Sequence, residues 1–316
     1  GRQPLEMLQG IVTGGSPESP APTELGVLAG AATYHTVLTP KGRMLADLHL
    51  WREPVGDGEV VRAHLPVQAA APLREHLTKV LPPRLAKLED RSADVGMLSL
   101  LGPDAARLAS GVAMGLRVEA RELEEMEEDE FRLFPGSDRD EFLVIRNGSL
   151  SVPAFDVVGD RAVLRPMWSL LTGAGAEPIG LEAWDTLRVE RGRPGFGTEL
   201  GPDVIPVEAG IHDRAIDYEK GCYTGQEVIV RIRDRGHVNR HLRLLLLDIN
   251  APLPRAGADL YREEERPVGR ITTAVDSPRR GKLALAYLRR EVHPGQTVHV
   301  GSPEGPRARV EALPED

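Results

Sequence analysis

The last part of the chain is divided into short β-like runs by proline and glycine, and this pattern constrains the fold most. The runs begin at about His237 and read "HLRLLLLDI", "RPVGRITTAV", "KLALAYLRR", "QTVHV" and "ARVEAL". Short strands between turn residues are typical of a small antiparallel barrel or sandwich. We therefore expect residues 237–316 to form a separate β unit of one of these two kinds.

The preceding part of the chain mixes helical and strand patterns. "QAAAPLREHLTKVLPP" has a helical period that stops at its two prolines, whereas "EFLVIRN" has strand character before a turn. "RAVLRPMWSLLTGAG" predicts a strand followed by a short helix that ends at Gly173. The acidic run "EARELEEMEEDEF" predicts an exposed helix or strand edge. Together with 33 glycines and 26 prolines, this mixture indicates an α+β protein rather than a helical bundle.

The charge balance gives no global attraction to nucleic acid, because the net charge is −9 over 316 residues. One basic segment is a local exception that could bind an anion or RNA, or could simply form a solvated face with ion pairs. Its members are Arg231, Arg233, Arg235, His237, Arg240, His241 and Arg243. We expect no nucleic-acid partner, and an RNA-binding module is the least favoured function.

The compartment is predicted from what the sequence lacks. One cysteine excludes an intramolecular disulfide, and neither a signal peptide nor an apolar run long enough for a membrane span is present. We therefore expect a cytoplasmic protein with no membrane partner.

The single cysteine stands in "KGCYTGQE", residues 220–227. Thr224 and Glu227 form a capping-box pattern that predicts a helix start at Thr224, although the β-branched "VIVRI" that follows also permits a strand. A helix here would end at Gly236. Cys222 would then lie just before a helix N-terminus with Lys220 nearby, and both favour the nucleophilic thiolate. The alternative is a buried structural cysteine.

A carboxylate is predicted at the wrong end of another helix. Leu181, Trp184 and Leu187 recur at helical spacing and Gly192 ends the pattern, which places Glu190 in the last turn. A negative charge there opposes the helix dipole by about 0.3–1 kcal/mol. We therefore expect an offsetting partner for Glu190, which could be an arginine such as Arg191 or Arg193, a pair of backbone amides, or an N–H donor on a ligand.

A second acid lies on a predicted hairpin, "LTPKGRMLADLHL". In its second strand the apolar residues from Met44 to Leu50 alternate with Asp47 and His49, so the two polar side chains share one face. That face is either solvated or turned toward a ligand cavity.

These stretches together resemble the YgfZ-type folate-binding proteins, which are relatives of the glycine-cleavage aminomethyltransferase. "KGCYTGQE" is similar to the K-[AG]-C-[FY]-x-G-Q-E signature of that family, and "LEAWDTLRVERGRPGFGTEL" with "IPVEAG" resembles a stretch shared with the aminomethyltransferases. The hairpin and "LQGIVT" resemble their N-terminal segments. The chain departs from the pattern where "TGG" replaces T-N-D and where the opening strand is absent.

The resemblance implies an α+β fold of three domains in a ring, with tetrahydrofolate in a central channel. We expect a discontinuous folate-binding domain at 1–50 and 148–236, an inserted domain at 51–147, and a C-terminal antiparallel β-barrel at 237–316.

The resemblance also implies roles for particular residues. Asp47 matches the catalytic aspartate of the aminomethyltransferases and Glu190 their pterin-binding glutamate, and Arg231 is expected to meet the glutamyl carboxylate of folate. The signature supplies Lys220, Cys222, Tyr223, Gly225, Gln226 and Glu227.

The expected function is support of iron–sulfur enzyme assembly or repair by a tetrahydrofolate-binding accessory protein, with Cys222 as functional thiol or transient cluster ligand. One thiolate cannot hold an ordinary cluster, so any cluster would need a partner protein, a second copy of the chain or glutathione. Iron–sulfur client or carrier proteins are the expected partners, and no resident metal is expected. The alternative is a folate-dependent aminomethyltransferase or demethylase that uses Asp47 and Glu190.

Overall fold

The computed structural model describes residues 3–24, 26–56, 58–112, 118–134, 141–262 and 266–314, which form a mixture of helices and antiparallel sheets. The helices are α1 (Pro4–Gln9), α2 (Val67–Val80), α3 (Ala105–Val112), α4 (Ala120–Glu124), α5 (Arg161–Gly173), α6 (Leu181–Arg191), α7 (Pro206–Ala209), α8 (His212–Ala215) and α9 (Gln226–Arg235). The strands are β1 (Ala21–Pro22), β2 (Leu28–Ala31), β3 (Thr33–Leu38), β4 (Met44–Val55), β5 (Gly58–His64), β6 (Val95–Leu101), β7 (Glu130–Phe134), β8 (Phe142–Arg146), β9 (Ala154–Asp160), β10 (Arg240–Leu247), β11 (Asp259–Tyr261), β12 (Gly269–Ser277), β13 (Gly281–Arg289), β14 (Thr297–Val300) and β15 (Arg307–Glu311). The predicted α+β class is confirmed.

The C-terminal strands close into a barrel in the order β10-β13-β12-β11-β14-β15, which confirms the predicted antiparallel barrel. The barrel packs against the rest of the protein through strand β13. Ala284 and Ala286 pack inside the barrel core, whereas Leu283 and Leu285 pack into a core shared with the N-terminal part of the chain. Because both faces of β13 are buried, its sequence "LALAYL" is apolar throughout instead of alternating.

Two further sheets form the remainder of the described chain. A six-stranded sheet has the order β1-β2-β7-β8-β9-β6, and α3 and α5 cover one face of it around Phe155 and Val157. A three-stranded sheet has the order β3-β4-β5. On β4, Met44, Ala46 and Leu48 are buried as the alternating pattern predicts.

The start of α5 differs from the sequence pattern, and one expected domain boundary falls inside a strand. "RAVL" is the first turn of α5 rather than a strand, because the strand of this region is β9, which ends one residue earlier at Asp160. The expected domain boundary at residue 50 falls inside β4, which continues to Val55 and pairs with β5. In addition, β2 pairs with β7, which lies in the segment expected to be inserted. The three-part division of the chain remains a proposal.

Candidate functional site

Asp47 is the centre of a group of polar side chains on the polar, partly buried face of β4. Its Oδ2 accepts a hydrogen bond of 2.9 Å from the hydroxyl of Tyr34 on β3. Its Oδ1 is buried and accepts no hydrogen bond from any other described residue. Burial raises the pKa of Asp47 above its usual range, and the hydrogen bond from Tyr34 opposes that rise. The site therefore contains a buried acceptor oxygen that a donor on a ligand could satisfy.

Tyr34 connects Asp47 to a set of charged residues from other elements. The guanidinium of Arg214, on α8, lies over the Tyr34 ring at 4.9 Å from its centroid. Arg214 also pairs with Glu128, which accepts a second bond of 3.0 Å from Arg193. Burial, followed by the charge of Asp47, raises the pKa of Tyr34 well above its ordinary value. Tyr34 is therefore a hydrogen-bond donor to Asp47 throughout the physiological pH range.

His49 occupies the next position on the same face of β4. Its Nε2 lies 3.2 Å from Oδ1 of Asp129, and its ring centroid lies 4.9 Å from that of Tyr34. Burial lowers the pKa of His49, but the hydrogen bond and charge of Asp129 outweigh burial, so the pKa is raised overall. Asp47, Tyr34, His49, Asp129 and Arg214, which we call the Asp47 group, thus combine a buried acid with a partly buried histidine–aspartate pair.

Sequence reasoning missed two members of this neighbourhood, Glu128 and Asp129. Both lie in the acidic run that predicts an exposed helix or strand edge, yet their side chains are 27% and 19% exposed. The prediction of an exposed helix holds for α4, which ends at Glu124, but the last acids of the run lead into β7 and are partly buried. The strand sequence "FRLF" shortly after them is the signal that places these last acids at the start of a strand.

The cysteine loop packs against the hairpin that carries Asp47. Gly225 has φ +87, and a Cβ there would lie 2.7 Å from the carbonyl oxygen of Thr39 in the β3–β4 turn. Glycine is therefore required both by the backbone conformation and by the close approach. Tyr223 is buried, and the amide of Thr224 donates to the carbonyl of Gly10 at 3.1 Å. Cys222, at the outside of this loop, is exposed.

The helix after the cysteine begins later than the capping-box pattern predicts. The first residue of α9 is Gln226, its N-cap is Gly225, and no side chain caps it, so the prediction that Thr224 is the N-cap is wrong. The left-handed backbone of Gly225 turns the chain into the helix and takes Thr224 out of capping position. The helical interpretation itself is confirmed: α9 ends at Arg235 and Gly236 is its C-cap. Gly236 has an extended backbone with φ −127, so it is not the left-handed glycine that the pattern predicts. Cys222 is therefore further from the helix N-terminus than the pattern implies.

The predicted activating lysine is engaged elsewhere. The ammonium of Lys220 donates to the carbonyls of Val12 and Gly14 at 2.7 and 2.9 Å, and burial lowers the pKa of Lys220 to about 8. Lys220 therefore ties the cysteine loop to residues 12–14. Arg231 is exposed and pairs with Glu227 at 2.6 Å. The contacts of Arg231 and of the half-buried Gln226 with folate remain predictions.

Glu190 lies in the last turn of α6, and Gly192 ends the helix with a left-handed φ of +73, as predicted. The carboxylate is 3% exposed and accepts a hydrogen bond of 2.6 Å from Ser151 and another from Ser277. The pairing arginine is Arg279, in the turn between β12 and β13, rather than a neighbour on α6. Burial raises the pKa of Glu190, but these bonds outweigh it and the pKa is lowered. A folate N–H donor would thus have to share or displace a protein donor.

The arginine-rich segment is held largely by protein contacts in the described chain. Arg233 pairs with Asp234 at 2.7 Å, and Arg240 pairs with Glu208 at 3.1 Å while its guanidinium lies over Tyr287. These contacts favour the interpretation as a solvated face with ion pairs.

Other features lie away from the Asp47 group. A cleft of about 540 Å³ opens on the barrel between residues that include Arg262, Arg289 and His299. In the part of the chain that the structure describes, no cluster of three or more histidine, cysteine or acidic side chains is arranged to hold a metal ion. No helix within the described ranges has the length and hydropathy needed to cross a bilayer.

Comparison with known proteins gives a consistent result along the chain. Residues 22–220 match the GCVT N-terminal domain family, and residues 240–315 match the glycine cleavage T-protein C-terminal barrel domain. The aminomethyltransferase of Rubrobacter xylanophilus is 30% identical over 289 residues, covering 90% of this chain and 73% of that protein. The aminomethyltransferase of Moorella thermoacetica is 34% identical over 151 residues, which span 46% of this chain and only 40% of that protein.

A solved structure gives the same fold. The glycine cleavage system aminomethyltransferase T of Bartonella henselae superposes with a TM-score of 0.76 and 22% identity, covering 98% of this chain and 80% of that one. The two domain matches and the extent of the Rubrobacter alignment together show that the chain belongs to the glycine cleavage T-protein family of aminomethyltransferase-like proteins.

Proposed function

We propose that this protein binds tetrahydrofolate at the Asp47 group and acts as a YgfZ-type accessory protein that supports iron–sulfur enzymes through Cys222. The observation that carries the proposal is the buried Oδ1 of Asp47, which accepts no hydrogen bond from another described residue. A buried carboxylate oxygen in that state is costly unless a donor satisfies it. The N–H groups of a reduced pterin are donors of the required kind.

The chemistry of the surrounding residues fits such a ligand. Asp47 would accept from a ring nitrogen, Tyr34 would hold the other carboxylate oxygen, and Arg214 would keep Tyr34 in place from the far side of its ring. Charge-assisted hydrogen bonds of this type are stronger than neutral ones. Glu190 is a second candidate pterin contact, and its existing bonds to Ser151 and Ser277 make it the less favoured of the two.

The cysteine loop supports the accessory role over a purely catalytic one. Cys222 is exposed, as a thiol that meets another protein must be, and Gly225 anchors its loop on the hairpin that carries Asp47. Because the Cys222 loop packs against the hairpin that carries Asp47, binding of folate could change the position and exposure of the thiol. One thiol cannot complete a cluster by itself, and in this proposal an iron–sulfur client or carrier protein supplies the remaining ligands.

Aminomethyl transfer is the second candidate function. The names of the relatives favour it, and so does the raised pKa of Asp47, because a carboxylate with a higher pKa is a better proton acceptor. The cysteine loop has no part in that reaction scheme.

Calorimetric titration of tetrahydrofolate into the wild type and Asp47→Asn tests the binding site. We expect Asp47→Asn to weaken binding about ten- to hundredfold, because a charge-assisted hydrogen bond of about 1.5–3 kcal/mol is lost. Asp276→Asn, at an exposed position on β12, is the matched control and should leave the affinity unchanged. Equal affinities for the wild type and Asp47→Asn would overturn the assignment.

The accessory role is tested separately with Cys222→Ser. We expect the variant to keep its folate affinity and its fold, because the side chain is exposed, and to lose the ability to restore iron–sulfur enzyme activity in cells that lack the protein. Full restoration by Cys222→Ser, together with ammonia release from an aminomethylated lipoyl carrier by the purified protein, would favour aminomethyl transfer instead.

A further inference from the structure

The Asp47 group contains a histidine that none of the roles above uses. His49 lies two residues from Asp47 on β4, so both side chains leave the same face of the sheet. Tyr34 lies directly opposite His49 in the β3–β4 ladder and donates to Asp47. The three side chains therefore form one continuous surface next to the buried oxygen of Asp47.

Asp129 reaches His49 from a different sheet. It precedes β7 of the six-stranded sheet, and its carboxylate lies 3.2 Å from Nε2 of His49 in the three-stranded sheet. Its φ of +67 is the only positive φ at a non-glycine residue in the described ranges. Aspartate tolerates this left-handed conformation better than most residues, but the conformation is still uncommon.

The backbone of Asp129 is fixed on both sides. Its amide donates to the carbonyl of Arg146, and its carbonyl accepts from the amide of Ala32. An uncommon conformation that is held in this way aims the carboxylate at His49. Such outliers are concentrated at functional sites, and here the outlier coincides with the Asp47 group.

The charges around His49 favour its protonated form. Asp129 and Asp47 act to keep the proton on His49, and the buried carboxyl of Asp156 on β9 acts in the same direction, whereas burial and the cation of Arg214 act to remove it. Two other histidines lie near His49: His64 faces it directly from β5, and the pKa of His64 is lowered to about 4, chiefly by burial. His35, on β3, is opposite Leu48, so its side chain leaves the other face of the sheet, and its pKa is lowered to about 3, chiefly by burial. His64 and His35 are therefore neutral near pH 6, and His49 is the cationic histidine of this cluster.

We propose that His49, clamped by Asp129, is a positioning residue whose positive charge holds Asp47 in its ionised, hydrogen-bond-accepting form. Burial by itself drives Asp47 toward the protonated carboxylic acid, and the imidazolium opposes this. Because coupling between two titrating groups is reciprocal, Asp47 also stabilises the proton on His49. The inference rests on the proposed function only in its consequence for folate, since the coupling itself belongs to the free protein.

The coupling is tested without ligand by carboxyl-carbon NMR of aspartate-labelled protein. His49→Gln should move the titration of Asp47 to higher pH, because Gln keeps the approximate size of the side chain but carries no charge. His64→Gln is the matched control: it removes a histidine that is already neutral, so the Asp47 titration should stay where it is in the wild type. Asp129→Asn keeps His49, tolerates the left-handed backbone, and should move the titration in the same direction as His49→Gln.

The consequence for binding is tested by folate calorimetry as a function of pH. We expect the affinity of His49→Gln to be within about twofold of wild type at pH 7.5 and to become about tenfold weaker than wild type as the pH is lowered through the range in which Asp47 takes up a proton in the variant. A residue with a merely structural role would weaken binding equally at both pH values.

The outcomes separate the two proposals. If Asp47 titrates at the same pH in the wild type, His49→Gln and Asp129→Asn, the inference about His49 is wrong even if folate binds. If the titration shifts as expected but the wild type binds no folate, the proposed function is wrong and the coupling between His49 and Asp47 stands.

Discussion

Replacing Glu190 by glutamine gives the sharpest test of what this buried carboxylate does. Glu190 was expected to need an offsetting partner because it opposes the dipole of α6, and the structure supplies Ser151, Ser277 and Arg279. These donors come from the segment after β8 and from the end of the β12–β13 hairpin. Glu190 therefore joins α6 to the barrel, and its substitution should change stability whether or not folate binds.

The expected magnitude follows from the individual contacts. Converting the bonds from Ser151 and Ser277 from charged to neutral removes about 1 kcal/mol each. The ion pair with Arg279 adds about 0–1 kcal/mol, since that side chain is 50% exposed and solvent screens the pair. Relief of the unfavourable helix dipole returns about 0.3–1 kcal/mol. Glu190→Gln should therefore lower the free energy of unfolding by about 2 kcal/mol.

The pH dependence has a definite sign. The folded-state pKa of Glu190 is lowered, so its stabilising contribution is present above the unfolded pKa and is lost as the pH falls through the folded pKa. The difference between the wild type and Glu190→Gln should be largest near neutral pH. It should shrink as the pH falls below the usual glutamate range, where a protonated glutamate resembles glutamine.

Urea denaturation at several pH values measures this difference, and folate calorimetry on the same variants measures the ligand role. Glu182→Gln is the matched control, because Glu182 is on the same helix but exposed, and it should change stability by less than about 1 kcal/mol. Equal urea midpoints for Glu190→Gln and wild type would refute the structural reasoning. If folate affinity falls at the same time, Glu190 serves the ligand instead.

Three further predictions concern the hairpin and its surroundings. Asp47→Asn should leave the free energy of unfolding unchanged or higher at pH 7, because burial raises the pKa of the Asp47 carboxyl and its ionised form therefore destabilises the folded state. A loss of more than about 2 kcal/mol in urea denaturation would contradict this. Gly225→Ala should lower the free energy of unfolding by about 1–3 kcal/mol, because φ at this position is +87 and a Cβ would lie 2.7 Å from the carbonyl oxygen of Thr39. Gly221→Ala is the control: its Cβ would have no atom within 4 Å, so it should have little effect in the same assay. Buried His35, with a pKa of about 3, binds fewer protons folded than unfolded, so its own contribution should lower stability by about 1 kcal/mol per pH unit as the pH drops from 6.5 to 4. An imidazole NMR signal of His35 that titrates above pH 5 would contradict this.

Local sequence patterns were sufficient for several elements, among them the β3–β4 hairpin, α6, α9 and the strands of the C-terminal barrel. The alternation from Met44 to Leu50 put Asp47 and His49 on one face, and the glycine at 192 ended α6, because both depend only on backbone periodicity and on the left-handed freedom of glycine. The C-terminal runs indicated an antiparallel β unit, because short strands separated by proline and glycine are typical of one. The start of α9 could not be placed correctly, because the tight packing of Gly225 on the β3–β4 turn, rather than the capping box, decides it.

The partners of the charged residues were decided only by tertiary structure. The sequence indicated that Glu190 needs a partner but not that Arg279, 89 positions away, supplies it. Lys220 was expected to act on Cys222, yet its ammonium is held by carbonyls more than 200 positions earlier. In the sequence, Glu128 and Asp129 look like part of a solvated acidic run. In the fold, Glu128 pairs with Arg214 on α8 and Asp129 pairs with His49 on β4. The local sequence gives the position of a charged residue and the face on which it lies. Its partner depends on which apolar faces pack together, because that packing brings together segments that are distant in the chain.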